Sequence, residues 1–272
     1  MPATLCKKLV SASPSIDALP RVRAALSSSA PVAPRPHGEF ALPVFYINRD
    51  CDDDRRLSLE RAVRAAGLEA ERVSAVEGLS VPAGLKDYFF DADDLISSLT
   101  PGEVGCYASH LKTLEMMLEC NLDYALVLED DALPPRDLRR IVKDVMSQLP
   151  QDWDVVHLCG TPRRAVKPLA ELERGRALVR YSRVPSGAFG YLISAAGAHK
   201  LLTPMKRYWP FDTDMKRPWL LGLQIYGVTP RVVGHDDASP SRILAMGGRS
   251  RGRRGWPKPS RAAWTGNEPI RS

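Results

Sequence analysis

The sequence lacks the features that define several common classes of protein. No apolar run reaches the ~20 residues that a transmembrane helix needs, and no long apolar core with a small-residue cleavage site follows Met1. The phosphate-binding pattern GxxxxGK followed by Ser or Thr, a GxGxxG after a strand and the nucleophile motif GxSxG are also missing. We therefore expect a cytoplasmic protein, and kinases, dinucleotide enzymes and hydrolases lose support.

Cysteine is scarce, and its spacing does not suit a structural role. The five cysteines stand at positions 6, 51, 106, 120 and 159, an odd number without a CxxC pair. Neither a disulfide framework nor a zinc knuckle is indicated by such a pattern. Reduced thiols are the expectation for a protein in the cytosol.

The net charge of +6 is confined to one end of the chain. From Arg249 onwards there are seven basic residues and one acid, Glu268, so residues 1–248 carry no net charge. We therefore do not expect specific nucleic-acid binding by the folded part. Two interpretations of the tail stay open, namely peripheral contact with anionic lipid at the inner face of a membrane and a disordered solubilising segment.

Composition divides the chain into three parts. Residues 1–39 contain 19 Pro, Ser and Ala residues, a composition typical of a disordered leader. Residues 247–272 are rich in Arg and Gly and are predicted to be a disordered tail. The folded unit is therefore predicted to cover residues 40–246 as one domain.

Within that unit, strand patterns alternate with helix patterns. Short apolar runs predict strands at 42–47, 70–76, 124–128, 154–158 and 188–193. Apolar residues at helical spacing predict helices at 53–66, 137–149 and 194–202. Alternation of this kind predicts an α/β fold, a single domain in which a largely parallel, twisted sheet is flanked by helices.

A further helix begins at an unusually clear signal. Thr100–Glu103 combines a capping residue, a proline at the first helical position and a glutamate that completes a capping box. The helix then carries Glu103, Cys106 and His110 on one face, with Ser109 beside them. Two interpretations stay open here: a metal site of mixed ligands, and a half-buried histidine with ordinary hydrogen-bond partners.

Carboxylates stand at two places where they could perform chemistry. Glu129, Asp130 and Asp131 directly follow a buried strand, and ligands of open α/β sheets bind beyond the carboxyl ends of strands. Such oxygens suit Mg²⁺ or Mn²⁺, although a solvated acidic turn has the same pattern. Asp212 and Asp214 lie in an aromatic segment, where a carboxylate could accept a proton from a hydroxyl or simply close a turn.

Several blocks, taken together and in order, resemble glycosyltransferase family 25, the lipopolysaccharide-biosynthesis and collagen-galactosyltransferase type. The blocks are residues 44–48 followed by 54–56, then 73–78, 99–111 and 125–131, with weaker matches at 187–202, 210–212 and 229–233. The block at 99–111, LTPGEVGCYASHL, is the most specific of them. Arg49 departs from the family pattern, which has an apolar residue after Asn48.

The resemblance implies a GT-A-like α/β fold and a hexosyltransferase that uses a UDP-sugar, with galactose as the expected sugar. It implies Mn²⁺ (or Mg²⁺) as cofactor, held by Asp131 first and by Asp130 or Glu129. The implied acceptor is a glycan or glycolipid such as lipopolysaccharide core. The alternative is a non-catalytic module of the same fold that binds a sugar or nucleotide sugar.

The resemblance also implies roles for individual residues. Those expected to bind the nucleotide sugar are Asn48, Arg56, Ala75, Glu103, Ser109, His110, Glu129 and Asp130. Asp212 is the implied general base that activates an acceptor hydroxyl. Asp214 is an equal candidate for that role, because the segment Phe211–Asp214 contains both acids.

Overall fold

The computed structural model of the protein describes residues 40–236. The strands are β1 Val44–Asn48, β2 Glu71–Ser74, β3 Phe90–Asp91, β4 Asp94–Leu95, β5 Tyr124–Glu129, β6 Ala132–Leu133, β7 Val155–His157, β8 Val166–Leu172, β9 Arg176–Tyr181, β10 Gly190–Ser194, β11 Ile225–Thr229 and β12 Gly234–His235. The α-helices are α1 Asp53–Ala65, α2 Ala83–Lys86, α3 Pro101–Glu119, α4 Leu138–Gln148, α5 Ala195–Leu201 and α6 Phe211–Met215. Short 3₁₀ turns cover Glu173–Gly175 and Pro218–Leu220.

Eight of the strands form one sheet in the order β2-β1-β5-β10-β7-β11-β9-β8. The pairs β1·β2, β1·β5 and β7·β11 are parallel, whereas the other four pairs are antiparallel. The predicted α/β class is therefore confirmed, but the sheet is mixed rather than largely parallel. The difference arises because β10 inserts antiparallel between β5 and β7, and because β8 and β9 form a hairpin at the edge.

The hydrophobic core consists of two layers, one on each face of the sheet. Consecutive side chains of a strand point to opposite faces, so Val127 of β5 joins one layer and Leu126 joins the other. Helices α3 and α5 cover the first face, and helices α1 and α4 cover the second. Ala125 through Leu128 are completely buried, as the continuous apolar run predicts.

Helix α3 begins with the predicted capping box and packs closely against the chain after β2. The Thr100 hydroxyl accepts from the Glu103 amide, and the Glu103 carboxylate accepts from the Thr100 amide. A Cβ at Gly78 would lie 1.7 Å from the Pro101 carbonyl oxygen, and one at Gly105 would lie 2.5 Å from the Val76 oxygen. Only glycine at both positions allows this approach, which brings residues 75–77 beside the helix.

Some predictions concern parts of the chain outside this range or are wrong within it. The predicted leader at 1–39, the tail at 247–272 and the last residues of the predicted domain lie outside residues 40–236. Cys51, Cys106 and Cys159 are free, whereas Cys120 is disulfide-bonded, so the prediction of reduced thiols is wrong at that position. Among the described helices, none is long and apolar enough to span a membrane.

Candidate active site

Two adjoining cavities lie beyond the carboxyl ends of β1 and β5. The smaller has a volume of about 100 Å³ and is lined by Asn48, Ala75, Ser109 and His110, among others. The larger has a volume of about 1090 Å³ and extends to Glu103 and Asp212. Both are lined by Cys106, Glu129 and Asp131. Nearly all the acids and polar residues predicted from the sequence therefore border one continuous cleft.

Glu129, Asp130 and Asp131 form an acidic cluster where β5 ends, and Asp130 is the member that the protein itself satisfies. Its Oδ2 accepts from the Asn48 side-chain amide at 2.9 Å, and its Oδ1 accepts from the Arg55 guanidinium at 2.8 Å. Burial raises the pKa of the Asp130 carboxyl, while Asn48 and Arg55 act in the opposite direction. Because both oxygens already have strong donors, Asp130 has less capacity left for a ligand.

Asp131 differs from Asp130 because one of its buried carboxylate oxygens accepts no hydrogen bond from the described residues. Its Oδ1 is buried and has no hydrogen-bond partner among residues 40–236. Its Oδ2 lies 3.3 Å from Nε2 of His235 and 3.7 Å from the Arg55 guanidinium. Burial, reinforced by the charge of Glu129, raises the pKa of the Asp131 carboxyl to about 6. A divalent cation would relieve both the repulsion and the missing contact, so these oxygens fit Mn²⁺ or Mg²⁺.

Glu129 connects the acidic cluster to His110 on helix α3. The Glu129 Oε1 lies 3.4 Å from Nε2 of His110, a side chain with no solvent exposure. The His110 Nδ1 lies 3.0 Å from the Tyr191 hydroxyl, and its ring stacks on Phe211 with centroids 4.0 Å apart. His110 is therefore held in one orientation from three sides, and its Nε2 faces the cleft without a hydrogen bond from residues 40–236.

Glu129 replaces Glu103 in the cluster that the helix pattern predicted. Ligand atoms of Cys106, His110 and Glu129 all lie within 4.8 Å of one another. Burial raises the pKa of the Cys106 thiol well above its ordinary value, and the nearby carboxylates raise it further. Glu103 instead uses its carboxylate to cap the helix, although it also borders the larger cavity. The helix face was thus correct, but the acid that completes it comes from β5.

Asn48 and Ser109 line the smaller cavity and also hold the neighbouring chain segments in place through hydrogen bonds. The Asn48 amide group donates to the Asp52 carbonyl at 3.0 Å as well as to Asp130, and its oxygen accepts from Arg72. The Ser109 hydroxyl donates to the Gly105 carbonyl at 2.7 Å and accepts from the Val76 amide at 2.8 Å. Ser109 therefore fixes the segment that presents Ala75 to the cavity.

Arg56 borders neither cavity in this arrangement, so its predicted contact with the nucleotide stays a prediction that the geometry does not support. Its guanidinium donates to Asp53 at 2.7 Å and lies 3.7 Å from Glu60, on the outer side of α1. Arg55 borders the smaller cavity and contacts the acidic cluster instead. Adjacent residues of a helix point about 100° apart, so only one of the two arginines can face the site. Nothing in the sequence pattern distinguishes them.

Asp212 and Asp214 lie on opposite sides of the short helix α6, because residues two apart on a helix do not share a face. Asp212 borders the larger cavity, with Lys216 at 3.4 Å and the Gly187 amide at 3.4 Å. Asp214 is buried, accepts from the Tyr107 hydroxyl at 3.0 Å and lines neither cavity. Burial raises its pKa to about 6. Asp214 is therefore excluded as a base that touches an acceptor in this arrangement.

Two groups of residues in the cleft are not marked by any sequence motif. His235, on β12, reaches Asp131 because β12 pairs with β6 directly after the acidic cluster. Arginines from three loops border the larger cavity. Both groups come from chain segments far apart in sequence, so only the sheet order brings them together.

Comparison with known proteins agrees with this architecture. The model of glycosyltransferase family 25, described as an LPS biosynthesis protein, matches residues 41–215. The chain therefore belongs to glycosyltransferase family 25. The matched range contains the acidic cluster, His110 and Asp212, whereas His235, which contacts Asp131, lies beyond it.

The matched curated relatives are much longer proteins. Procollagen galactosyltransferase 1 of Danio rerio is 30% identical over 182 residues, which cover 62% of this chain and 30% of that protein. Procollagen galactosyltransferase 1-B of Xenopus laevis is 30% identical over 186 residues, with the same coverage. Inactive glycosyltransferase 25 family member 3 of Mus musculus is 29% identical over 188 residues. The chain thus spans about 30% of the length of these relatives.

Proposed function

We propose that this protein transfers a hexose from a UDP-sugar to a hydroxyl group of a glycan or glycolipid acceptor, with Mn²⁺ or Mg²⁺ as cofactor. Membership of family 25 supports glycosyl transfer, and the names of the two galactosyltransferase relatives support galactose as the sugar. The family description supports lipopolysaccharide core as the acceptor. Such an acceptor would be met at the inner face of a membrane, where a cytoplasmic enzyme could act peripherally.

The observation that carries the proposal is the contrast between Asp130 and Asp131. Asp130 is saturated by Asn48 and Arg55, so the local structure is rigid. Asp131 presents a buried oxygen without a hydrogen-bond donor from residues 40–236 to a cleft that also contains Glu129. Asp131 and Glu129 would hold the cation, which, when bound, neutralises charge on the leaving diphosphate. Before a cation binds, Arg55 limits the repulsion between the acids of the cluster.

Asp212 is the proposed general base. Its carboxylate borders the larger cavity, where an acceptor hydroxyl would meet the donor sugar. Lys216, at 3.4 Å, and the Gly187 amide, at 3.4 Å, hold the carboxylate in place. Asp212 would accept the proton that the hydroxyl loses as its oxygen attacks the sugar. Asn48 and Ala75 border the smaller cavity, on the far side of Asp131, and the nucleotide is assigned to that side.

Calorimetric titration of UDP-galactose, UDP-glucose and UDP-N-acetylglucosamine, with and without Mn²⁺, tests the proposal. We expect one UDP-sugar to bind with Mn²⁺ and to lose most of its affinity when the metal is chelated. GDP-mannose is the control, since it has the same diphosphate but a different base and a different sugar. Equal binding with and without Mn²⁺, or equal binding of GDP-mannose, would contradict the proposal.

A non-catalytic binding module is the second candidate, because one relative of similar identity is named as inactive. The two candidates differ in what happens to a bound donor. A transferase releases free hexose slowly from its UDP-sugar when water replaces the acceptor, whereas a binding module returns the donor unchanged. Measuring free hexose over several hours with Mn²⁺ distinguishes the two.

A further inference from the structure

Four arginines border the larger cavity, and we call them the basic rim: Arg163, Arg164, Arg183 and Arg231. Arg163 and Arg164 lie in the loop between β7 and β8, Arg183 follows β9, and Arg231 follows β11. All four are exposed. Three separate loops therefore direct positive charge to one cavity.

The basic rim has no ion-pair partners among the described residues. None of its four guanidinium groups has a hydrogen bond or an ion pair with another residue in the range 40–236. Elsewhere on the described surface, arginines do find carboxylates, as Arg140 does with Glu173 and Arg174 does with Asp137. Four unpaired positive charges around one cavity repel one another, and an anion in the cavity would relieve that repulsion.

The acids of the same cavity do not neutralise the rim. Glu129 and Asp131 line the cavity beside His110, and Asp212 is paired with Lys216. No ion pair joins any of these acids to a rim arginine within the described range. The cavity thus has an acidic side near β5 and a basic side formed by the loops. A single small ligand could interact favourably with both sides only if its charge were confined to the end that faces the arginines.

The donor is not the natural occupant of the basic side. Asp131 borders both cavities, whereas the rim arginines border only the larger one. Given the proposed function, which this step requires, the diphosphate lies at Asp131 and the nucleotide lies toward Asn48 and Ala75, which border the smaller cavity. The volume of about 1090 Å³ in the larger cavity exceeds what a single hexose needs. The acceptor therefore has access to the rim.

We propose that the basic rim binds a phosphate group carried by the acceptor glycan, so that the enzyme selects phosphorylated sugar acceptors over neutral ones. Guanidinium groups bind phosphate with paired, charge-assisted hydrogen bonds, which neutral hydroxyls cannot match. A phosphate anchored at the rim would leave a neighbouring sugar hydroxyl free to reach Asp212. The rim is thus a determinant of acceptor specificity, separate from the donor and metal residues.

Anion binding without any metal or donor tests this proposal. The probe is inositol hexakisphosphate, a polyhydroxylated ring that carries phosphates, and unphosphorylated inositol is the control ligand. All variants are made in the full-length chain with Arg249, Arg251, Arg253 and Arg254 replaced by Gln, because that segment would bind the same probe. Calorimetry at about 0.15 M salt screens diffuse surface attraction.

Two double variants with equal charge change give the comparison. R163A/R164A removes half of the rim, and R61A/R64A removes two exposed arginines of α1 that border neither cavity. We expect the Kd for inositol hexakisphosphate to rise at least tenfold in R163A/R164A and to stay within twofold in R61A/R64A. Equal weakening in both, or none in either, would overturn the anion site.

A second titration separates the acceptor from the donor as the source of the phosphate. UDP is titrated with Mn²⁺ into R163A/R164A and into R61A/R64A. We expect UDP to bind both variants equally, in agreement with an acceptor role. A tenfold loss of UDP affinity in R163A/R164A alone would assign the rim to the donor diphosphate and overturn the acceptor proposal. Neither titration depends on turnover, so the result stands even if the protein proves inactive.

Discussion

The acidic cluster and the basic rim border one cavity but are built in opposite ways. The acidic cluster ends a completely buried strand, and Asn48, Arg55 and His110 hold its side chains within 3.4 Å. The rim arginines extend from loops, are exposed and have no partners within residues 40–236. A rigid acidic site suits a group whose charge must be placed accurately, such as a metal-bound diphosphate. An adaptable basic site suits an acceptor that is recognised by charge.

The largest expected effect tests whether Asp212 belongs functionally to the cavity. We expect Asp212→Asn to lower kcat by about 100- to 10,000-fold, because an amide cannot accept the proton of the acceptor hydroxyl. Donor affinity should stay unchanged, since Asp212 does not border the smaller cavity, to whose side the nucleotide is assigned. The measurements are the initial rate with whichever UDP-sugar binds in the calorimetric titration, and calorimetry of UDP. Asp214→Asn is the matched control, and equal losses of kcat in the two variants would contradict the assignment.

The second effect tests the acidic cluster directly. Asp131→Asn should weaken metal-dependent UDP binding by about 100-fold or more, because a carboxylate ligand is replaced by a neutral amide of the same size. Asp93→Asn, on an almost fully exposed side chain, is the control for charge alone. Calorimetry with Mn²⁺ measures the affinity, and thermal unfolding confirms that both variants fold. Wild-type affinity in Asp131→Asn would remove this residue from the metal set.

The third effect distinguishes Asp214, which is buried in the core, from the acids that border the cavity. The pKa of Asp214 is raised from 3.8 to about 6, first by burial. The folded protein therefore binds this proton more tightly than the unfolded chain does, and the stabilisation is complete below pH 3.8 and is lost as the pH rises through about 6. The difference corresponds to about 3 kcal/mol of unfolding free energy.

Asp214→Asn should remove this pH dependence. Urea unfolding of the wild type and of Asp214→Asn between about pH 4 and pH 7 gives the contribution by subtraction, because other groups titrate equally in both proteins. Asp93→Asn should retain the wild-type dependence. If the unfolding free energies of the wild type and of Asp214→Asn changed with pH in the same way, the result would show that burial does not raise the pKa of the Asp214 carboxyl.

Much of the fold could be predicted from local patterns, whereas its mixed sheet could not. The run at β5, the capping box at Thr100 and the spacing of α4 predict buried strand and helix positions to within about two residues, because each depends on neighbouring residues. The insertion of β10 between β5 and β7 depends on contacts between distant segments. No local pattern indicates whether a strand enters a sheet parallel or antiparallel.

The residues of the site show the same contrast between local patterns, which the sequence reveals, and contacts between distant segments, which it does not. Glu129 and Asp131 were identifiable because they directly follow a buried strand, and His110 because it lies four residues from Cys106 on a helix. Asp212 and Asp214 were ambiguous because the sequence does not show that their segment forms the short helix α6, which directs the two carboxylates apart. The rim arginines and His235 could not be found, since each comes from a different loop or strand and carries no spacing signal.

The smallest effect concerns Arg55, whose guanidinium contacts the acidic cluster. Arg55 donates to Asp130 at 2.8 Å and lies 3.7 Å from Asp131, whereas Arg56 contacts Asp53 and Glu60 outside the cleft. Arg55→Gln should weaken metal-dependent UDP binding about tenfold, because Asp130 loses the partner that orients it beside the proposed metal ligands. Arg56→Gln should leave UDP binding unchanged. The two variants have the same charge and differ by one position on α1, so calorimetry of the pair measures the effect of helix phase alone. A greater loss in Arg56→Gln would mean that α1 is rotated relative to the acidic cluster and that the family motif places the second arginine in the site.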